Sequence, residues 1–142
     1  MINLSVFHAE ILHTIHTLSV DPPWSQKSFE SLLRLPTVKG YATDDLSCFV
    51  LFSVILDEAE ILTIATHPSS RRQGLAENLL TICLKALWQE GIKAIFLDVD
   101  VNNSAAIALY QKLGFNDYGI RKKYYQSANG FQTDAKLMKK IF

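Results

Sequence analysis

The chain has 142 residues, 49% of them hydrophobic, and its 14 basic residues balance 14 acidic ones. A balanced charge argues against a general nucleic-acid-binding protein, which normally carries a basic excess, although it leaves room for a local basic patch. The two cysteines, Cys48 and Cys83, lie far apart and the histidines are not clustered, which argues against a disulfide framework or a structural zinc site.

The chain also lacks the marks of a targeting or membrane segment. The amino terminus, MINLSVFHAE, has no basic region and soon meets Glu10, unlike a signal peptide. No apolar run approaches the ~18 residues of a membrane span. We therefore expect a single cytoplasmic domain over residues 1–142, a monomer or weak dimer, without direct contact to nucleic acid or membrane.

Hydrophobic periodicity predicts the first elements. INLSVF alternates like a short strand, and AEILHTIHTLSV predicts a helix. The apolar face of that helix is expected to hold Ile11, Leu12, Ile15 and Leu18. A second helix is expected to begin after an N-cap at Ser25.

The remaining elements alternate between strands and helices. VKGYAT, SCFVLFSVIL and AEILTIATHP predict three strands, and a long helix follows from Gly74 to about Glu90. AIFLDVD predicts a strand, NSAAIALYQKLGF a helix capped by Asn103 or Ser104, and the rest two strands around an Asn129–Gly130 turn. The order β-α-α-β-β-β-α-β-α-β-β predicts a mixed α/β (α+β) sheet with about four helices rather than a doubly wound nucleotide fold.

The segment RRQGLA lies where a strand gives way to the long helix. A helix amino terminus offers unpaired N–H groups and partial positive charge, which suit a phosphate. Small residues at Gly74 and Ala76 let a diphosphate approach the backbone, and Arg71 and Arg72 add charge. The alternative, from these six residues alone, is an ordinary solvated helix start.

This pattern, R/Q-x-x-G-x-G/A after a strand and before a helix, resembles the acetyl-CoA pyrophosphate loop of the GNAT N-acetyltransferase superfamily. Three further segments, DEAEILTIATHPSSRRQGLAENLL, IFLDVDVNNSAAIALYQKLGF and IRKKYY, are similar to the bacterial ribosomal-protein-alanine N-acetyltransferases. PPWSQKSF resembles the PWS segment of that family. The resemblance runs from Pro23 to the end of the chain.

The resemblance implies a GNAT fold whose sheet splays between its fourth and fifth strands, with the pantetheine arm of acetyl-CoA in the gap. It implies pyrophosphate binding by the amides from Arg72 to Glu77, and a contact from Asn103, which also suits a plain helix N-cap. The residues it assigns to the cofactor are Ile64, Ala65, Thr66, Arg71, Arg72, Gln73, Gly74, Leu75, Ala76, Glu77 and Asn103.

Two positions depart from the resembled pattern. Ala76 replaces the commoner second glycine, which the family tolerates. Glu77 stands where close relatives often carry a basic residue, and a carboxylate repels a diphosphate unless it points away or pairs with an arginine. We therefore expect somewhat weaker cofactor binding, not its loss.

The resemblance also implies the catalytic groups. Asp98 occupies a position where the family has glutamate, so it would act as the base, through a bridging water because it is one methylene shorter. Asp100 faces the same side of the strand and could take that role. Tyr110 would donate a proton to the leaving thiolate. The alternatives are solvated strand-end carboxylates and a core tyrosine.

The acceptor side is expected to involve Trp24, Glu58, Tyr124 and Tyr125. Trp24 could equally be a hydrophobic anchor beneath the first helices. The basic run from Arg121 to Lys123 could meet acidic groups of a substrate, or be a solvated strand end.

The expected function is acetyl transfer from acetyl-CoA, without a metal, to the N-terminal α-amine of a protein. The resemblance implies alanine on a small-subunit ribosomal protein as the acceptor. An α-amino group has a reference pKa of about 7.7–8.0 against about 10.4 for lysine, so it loses its proton more easily. The alternatives are an acetyltransferase for lysine or a small amine, and a catalytically weak acyl-CoA-binding module.

Overall fold

The computed structural model describes residues 1–142 and contains seven strands and four α-helices. The strands in chain order are β1 (Ile2–Asn3), β2 (Val38–Ala42), β3 (Cys48–Ile55), β4 (Glu58–Thr66), β5 (Ala94–Asp100), β6 (Asn116–Gln126) and β7 (Gln132–Ile141). The helices are α1 (Ala9–Ser19), α2 (Gln26–Leu33), α3 (Leu75–Gln89) and α4 (Ser104–Lys112). The predicted order of elements is confirmed.

All seven strands belong to one mixed sheet with the order β1-β2-β3-β4-β5-β7-β6. Neighbouring strands are antiparallel except β4 and β5, which are parallel because α3 connects them. No helix has both the length and the apolarity needed to cross a bilayer.

Helices cover both faces of the sheet and divide the core in two. α3 and α4 pack on one face, where Leu80, Leu87 and Tyr110 meet the apolar side chains of β3, β5 and β7. α1 and α2 pack on the other face, where Leu12 and Phe29 meet side chains of β2, β3 and β4. On this second face α1 and α2 leave β5 to β7 uncovered, and that open area is where the polar groups of the site lie.

The splay predicted between the fourth and fifth strands is present. β4 and β5 pair only from Glu58–Glu60 to Ala94–Phe96, and beyond these residues the two strands have no register. A bulge in β4 accompanies the separation, because Leu51 pairs with Thr63 while Phe52 pairs with Ile61. The extra residue in β4 increases its local twist and turns it away from β5.

Two sequence predictions about the amino-terminal segment are wrong. The first strand does not extend over INLSVF, because the Ser5 N–H donates to His8 Nδ1 (2.9 Å) and the chain turns into a 3₁₀ helix over Val6–His8. In α1, Ile11 and Leu18 are exposed. The buried face is rotated from the predicted one and includes a histidine, described below.

Candidate active site

The loop between β4 and α3 has the open backbone that a phosphate site needs. Arg72 and Gly74 adopt left-handed conformations, with φ of 63° and 73°. Such a conformation strains every residue except glycine. A Cβ built on Gly74 would meet no protein atom within 4 Å, so a ligand can approach the backbone there.

The N–H groups of this loop are free to bind a ligand. No backbone N–H from residues 71–77 donates a hydrogen bond to another protein group. The last of these groups form the amino-terminal end of α3, where the helix dipole adds partial positive charge. The structure therefore brings together the predicted phosphate-binding residues of this segment: Arg71, Arg72, Gln73, Gly74, Leu75, Ala76 and Glu77.

Glu77 has a cation beside it. Lys112 of α4 lies 2.9 Å from Glu77 Oε1. The pair is solvent-exposed, so it adds little stability, but it offsets the negative charge next to the loop. The sequence analysis considered an arginine partner or an outward orientation. The observed partner is a lysine from another helix, which local sequence could not reveal.

A cavity of about 650 Å³ lies between the separated ends of β4 and β5. One wall comes from α1 and the loop after it, another from α4 and the loop before it, and the rest from the two strands and Tyr125 of β6. Because α1 and α4 lie on opposite faces of the sheet, the cavity connects these faces. The predicted site residues that line it are Trp24, Ile64, Asp98, Asn103, Tyr110 and Tyr125.

Ile64, Ala65 and Thr66 of β4, which the resemblance assigns to the cofactor, differ in how far their groups are already engaged by the protein. Ile64 lines the cavity, whereas the Ala65 side chain is buried against the α1–α2 face. The Thr66 carbonyl already accepts a hydrogen bond from the Ser19 hydroxyl (3.0 Å). Asn103 caps α4 as expected, because its side chain accepts the Ala106 N–H (3.2 Å).

Tyr110 is both a core residue and a cavity residue. It is 5% exposed, and its ring packs edge-on against Phe115 with the centroids 5.8 Å apart. Its hydroxyl makes no hydrogen bond to the protein, yet it is not a sealed, unsatisfied group. Burial raises the pKa of Tyr110 to about 12, so the hydroxyl stays protonated at neutral pH and can donate its proton.

Asp98 and Asp100 face the same side of β5 but have different surroundings. Both oxygens of Asp100 are engaged, one by the Asn102 N–H (2.9 Å) and the other by the Thr133 hydroxyl (2.8 Å). Asp98 contacts only Arg121, at 3.5 Å, and its side chain is 19% exposed. Asp98 is therefore the carboxylate with lone pairs available to a substrate.

A second depression, of about 320 Å³, adjoins Asp98 on the face that carries α1 and α2. Glu58, Glu60, Arg121 and Tyr124 line it together with Asp98. Burial raises the pKa of Glu60, the charge of Asp98 raises it further, and Arg121 opposes the shift. We call this depression the acidic groove. It contains the predicted acceptor residues Glu58 and Tyr124, and sequence reasoning missed Glu60, although its two-residue spacing from Glu58 placed both on one strand face.

The adjacent tyrosines of β6, Tyr124 and Tyr125, line two different sites. Tyr124 lines the acidic groove and Tyr125 the cavity, with their ring centroids 5.0 Å apart. Burial, and then the charge of Asp98, raise the pKa of Tyr125. The predicted basic run is divided as well, since Arg121 pairs with Asp98 whereas Lys122 pairs with Asp134.

Two histidines of α1 hold the backbone of Trp24. His13 Nδ1 donates to the Trp24 carbonyl (2.9 Å), and the Trp24 N–H donates to His16 Nδ1 (2.9 Å). The Trp24 side chain packs on the α2 core, as expected of a hydrophobic anchor, and it also lines the cavity. The sequence analysis gave these histidines no role.

The remaining reactive side chains do not form a site. No group of three or more His, Cys, Asp or Glu side chains is placed to hold a metal ion. Both cysteines are buried and unpaired, and burial raises the pKa of Cys48 and brings that of Cys83 to about 12. Thiolate formation is therefore unfavourable at both cysteines.

At the level of sequence, the chain is similar to known acetyltransferases. The family model described as "Acetyltransferase (GNAT) family" matches residues 7–115. The chain is 40% identical over 118 residues to the ribosomal protein bS18-alanine N-acetyltransferase of Salmonella typhimurium, and the alignment covers 82% of this chain and 79% of the relative. The enzyme of the same name from Escherichia coli K12 is 38% identical over 118 residues, with the same coverage.

The fold is also similar to the folds of solved acetyltransferase structures. The ribosomal-protein-S18-alanine N-acetyltransferase from Escherichia coli matches with a TM-score of 0.89 and 32% identity, over 99% of this chain and 94% of that one. Arabidopsis thaliana NAA60 in complex with acetyl-CoA matches with a TM-score of 0.85 over 99% and 97% of the two chains. Its identity is 19%, so this likeness concerns the fold alone.

Proposed function

Because the chain belongs to the GNAT acetyltransferase family, we propose that it transfers an acetyl group from acetyl-CoA to the N-terminal α-amine of a protein. The observation that carries the proposal is the cavity between β4 and β5, which connects the face bearing the phosphate loop with the face bearing the acidic groove. A donor and an acceptor can thus reach each other from opposite sides of the sheet.

The proposed acceptor is the N-terminal alanine of a small-subunit ribosomal protein. The support is the name shared by two relatives at 38–40% identity, both described as ribosomal protein bS18-alanine N-acetyltransferases. An acceptor of that kind implies that the enzyme works in the cytoplasm, where ribosomes are assembled.

The residues near the loop and the parted strands fit acetyl-CoA. Unpartnered amides from Arg72 to Glu77 suit its diphosphate, and the free edge of β4 beside Ile64 suits its amide-containing arm. Asn103, at the mouth of the cavity, adds a polar contact. When bound, acetyl-CoA supplies an activated thioester. The protein residues bind the two substrates and move the protons.

The protein has three tasks in the reaction. Asp98 accepts a proton from the acceptor ammonium, directly or through a water, so that the neutral amine attacks the thioester carbonyl. Tyr110 donates its hydroxyl proton to the departing sulfur. The acidic groove, with Glu58 and Glu60, attracts the positively charged amino terminus before it loses its proton.

The acidic groove also favours a second candidate, a lysine side chain or a small polyamine, because these are cations too. Their reference pKa of about 10.4 makes deprotonation about 3.4 kcal/mol more costly than for an α-amine. No strong base compensates for that difference, since Asp98 is paired with Arg121 and partly exposed. The α-amine is therefore the better match.

A peptide assay tests the proposal. The acceptors are a peptide with N-terminal alanine and one internal lysine, and the same peptide with a blocked amino terminus. With acetyl-CoA, we expect acetylation only of the free α-amine, located by tandem mass spectrometry. Acetylation of lysine in both peptides would support the second candidate. Binding of coenzyme A without turnover of any amine, including spermidine, would identify an acyl-CoA-binding module instead.

A further inference from the structure

His16 is the one buried polar residue of the core and is not used in the mechanism above. It lies on α1, is 1% exposed, and stands among the rings of Trp24, Phe29 and Phe49 with centroid distances of 5.1, 5.2 and 6.5 Å. It also lines the cavity between β4 and β5. A histidine in such surroundings needs hydrogen-bond partners for both ring nitrogens.

The partners of His16 fix its tautomer. The Trp24 backbone N–H donates to Nδ1 (2.9 Å), so Nδ1 carries no hydrogen. Burial, and then the charge of His13, lower the pKa of His16 to about 4, so the ring is neutral and its single hydrogen is on Nε2. Nε2 lies 3.0 Å from Thr63 Oγ1 and must be the donor in that hydrogen bond.

This contact determines where the Thr63 hydroxyl points its own hydrogen. A hydroxyl has one donor and two acceptor sites, and His16 occupies one acceptor site. The Thr63 hydroxyl makes no other hydrogen bond in the protein, and the residue lines the cavity. The hydroxyl hydrogen is therefore a donor without a protein acceptor, directed away from His16.

Thr63 lies on the acceptor side of the sheet. In the register of β3 and β4 it pairs with Leu51, whose side chain is in the α1–α2 core, and the bulge of β4 lies next to it. Asp98 lines the same cavity and faces the same side. A donor here can reach a substrate group close to the amine that Asp98 serves.

We propose that the Thr63 hydroxyl, oriented by His16, binds the carbonyl oxygen of the first residue of the acceptor peptide. The inference rests on the proposed function. Thr63 is then an acceptor-binding residue, and His16 is a positioning residue that acts through it.

This arrangement discriminates between amines by their chemistry. In an N-terminal residue the carbonyl carbon is two bonds from the α-amine nitrogen, whereas a lysine ε-amine or a simple alkylamine has no hydrogen-bond acceptor near its nitrogen. An acceptor without the carbonyl leaves the Thr63 donor without the partner that the α-amine substrate provides, which costs binding.

The test compares an alanine-initiated peptide with its analogue that has an (E)-alkene in place of the first amide and so lacks both the carbonyl oxygen and the adjoining N–H. We expect the protein to prefer the amide by about tenfold in kcat/KM, the worth of one neutral hydrogen bond. In Thr63→Val this preference should fall towards unity. Thr63→Ser should restore it, because serine retains the hydroxyl.

Thr81→Val provides the matched control. The Thr81 hydroxyl donates to the Glu77 carbonyl on the exposed face of α3, outside the cavity, so this variant should keep the full preference. An undiminished preference in Thr63→Val, with a melting temperature showing that the variant is folded, would overturn the inference, because only the carbonyl oxygen can accept from the Thr63 hydroxyl. If the wild type acetylates neither acceptor, the proposed function itself fails.

A second pair of variants tests the role of His16. The amide of His16→Gln can occupy the position of Nε2 and donate to Thr63, whereas the shorter His16→Asn reaches only the position of Nδ1. Both lose the imidazole packing, so their melting temperatures should fall alike. We expect the amide preference to survive in the glutamine variant and to be lost in the asparagine variant. An equal preference in the two would show that His16 does not orient Thr63.

Discussion

At the residue scale, the candidate chemistry depends on two side chains in different environments. Tyr110 is sealed in apolar packing except where its hydroxyl meets the cavity, and Asp98 lies in a polar region between Arg121 and Glu60. The buried phenol retains its proton, and the carboxylate has lone pairs free to accept one. The two residues therefore suit opposite ends of a proton transfer.

Replacement of Tyr110 by phenylalanine should slow the reaction without weakening the donor complex. We expect Tyr110→Phe to lower kcat by about a hundredfold, the usual worth of a general acid, with an unchanged Kd for acetyl-CoA. Because burial raises the pKa of Tyr110 to about 12, the hydroxyl stays protonated up to about pH 9. The loss should therefore be constant between about pH 6.5 and about pH 9. Unchanged turnover would rule out Tyr110 as the proton donor.

Replacement of Asp98 by asparagine should give a loss that depends on pH. At about pH 6.5 most α-amine is protonated and needs a base, whereas at about pH 9 it is already neutral. We expect Asp98→Asn to lower kcat/KM by at least about tenfold at the lower pH and much less at the higher one. Asp100→Asn is the control, because its carboxylate is occupied by Asn102 and Thr133. A pH-dependent loss in that variant instead would reverse the assignment.

The sequence predicted the positions of Asp98 and Tyr110, because motif and spacing placed each on a recognisable element. It gave no role to His16, whose partner Thr63 is 47 positions away and whose second partner is a loop backbone. It also missed Glu60, whose electrostatic link to Asp98 depends on the register between β4 and β5. Residues that act through distant neighbours leave no local pattern.

At the element scale, the start of α3 is the feature on which donor binding depends. The loop before it combines a left-handed glycine, open space and unpartnered N–H groups. The far end of α3 is also marked by a left-handed glycine, Gly91 with φ of 95°, and it too has open space around a built Cβ. The two ends thus offer a comparison within one helix.

Replacement of Gly74 by alanine should weaken acetyl-CoA binding, because the methyl group strains the loop and covers the backbone that a diphosphate approaches. We expect Kd to rise by about tenfold, measured by calorimetry. Gly91→Ala introduces similar backbone strain but lies away from the loop. Its melting temperature should fall by a similar amount while its Kd stays unchanged, and equal Kd values for the two variants would argue against the loop as the donor site.

Periodicity predicted the long helices and strands well, including α3 and the cap of α4, because each buries a regular apolar face. It failed for β1, where a His8 side chain captures the backbone N–H of Ser5, and for the face of α1, where a buried histidine displaces Ile11 and Leu18. The bulge in β4 was invisible as well, since Leu62 fits an uninterrupted strand pattern. The first feature depends on a local side-chain contact, and the burial of His16 on a hydrogen bond to a residue 47 positions away; neither follows from hydrophobic periodicity.

At the scale of the whole molecule, the sheet separates two halves of the proposed reaction. In the proposal, the loop before α3 and the α4 helix serve the donor, whereas α1, the Trp24 loop and the acidic groove serve the acceptor. The cavity through the splay is the one place where both sides meet, and β4 contributes to both through its free edge and through Thr63.

Hydrogen–deuterium exchange with and without acetyl-CoA tests this division most directly. The account predicts that the ligand slows amide exchange over residues 71–77 and over residues 61–66, the part of β4 that pairs with β3 but not with β5, while the exposed end of α3 around Gly91 is unaffected. Protection confined to the acidic groove, or absent from both of the first two segments, would contradict it.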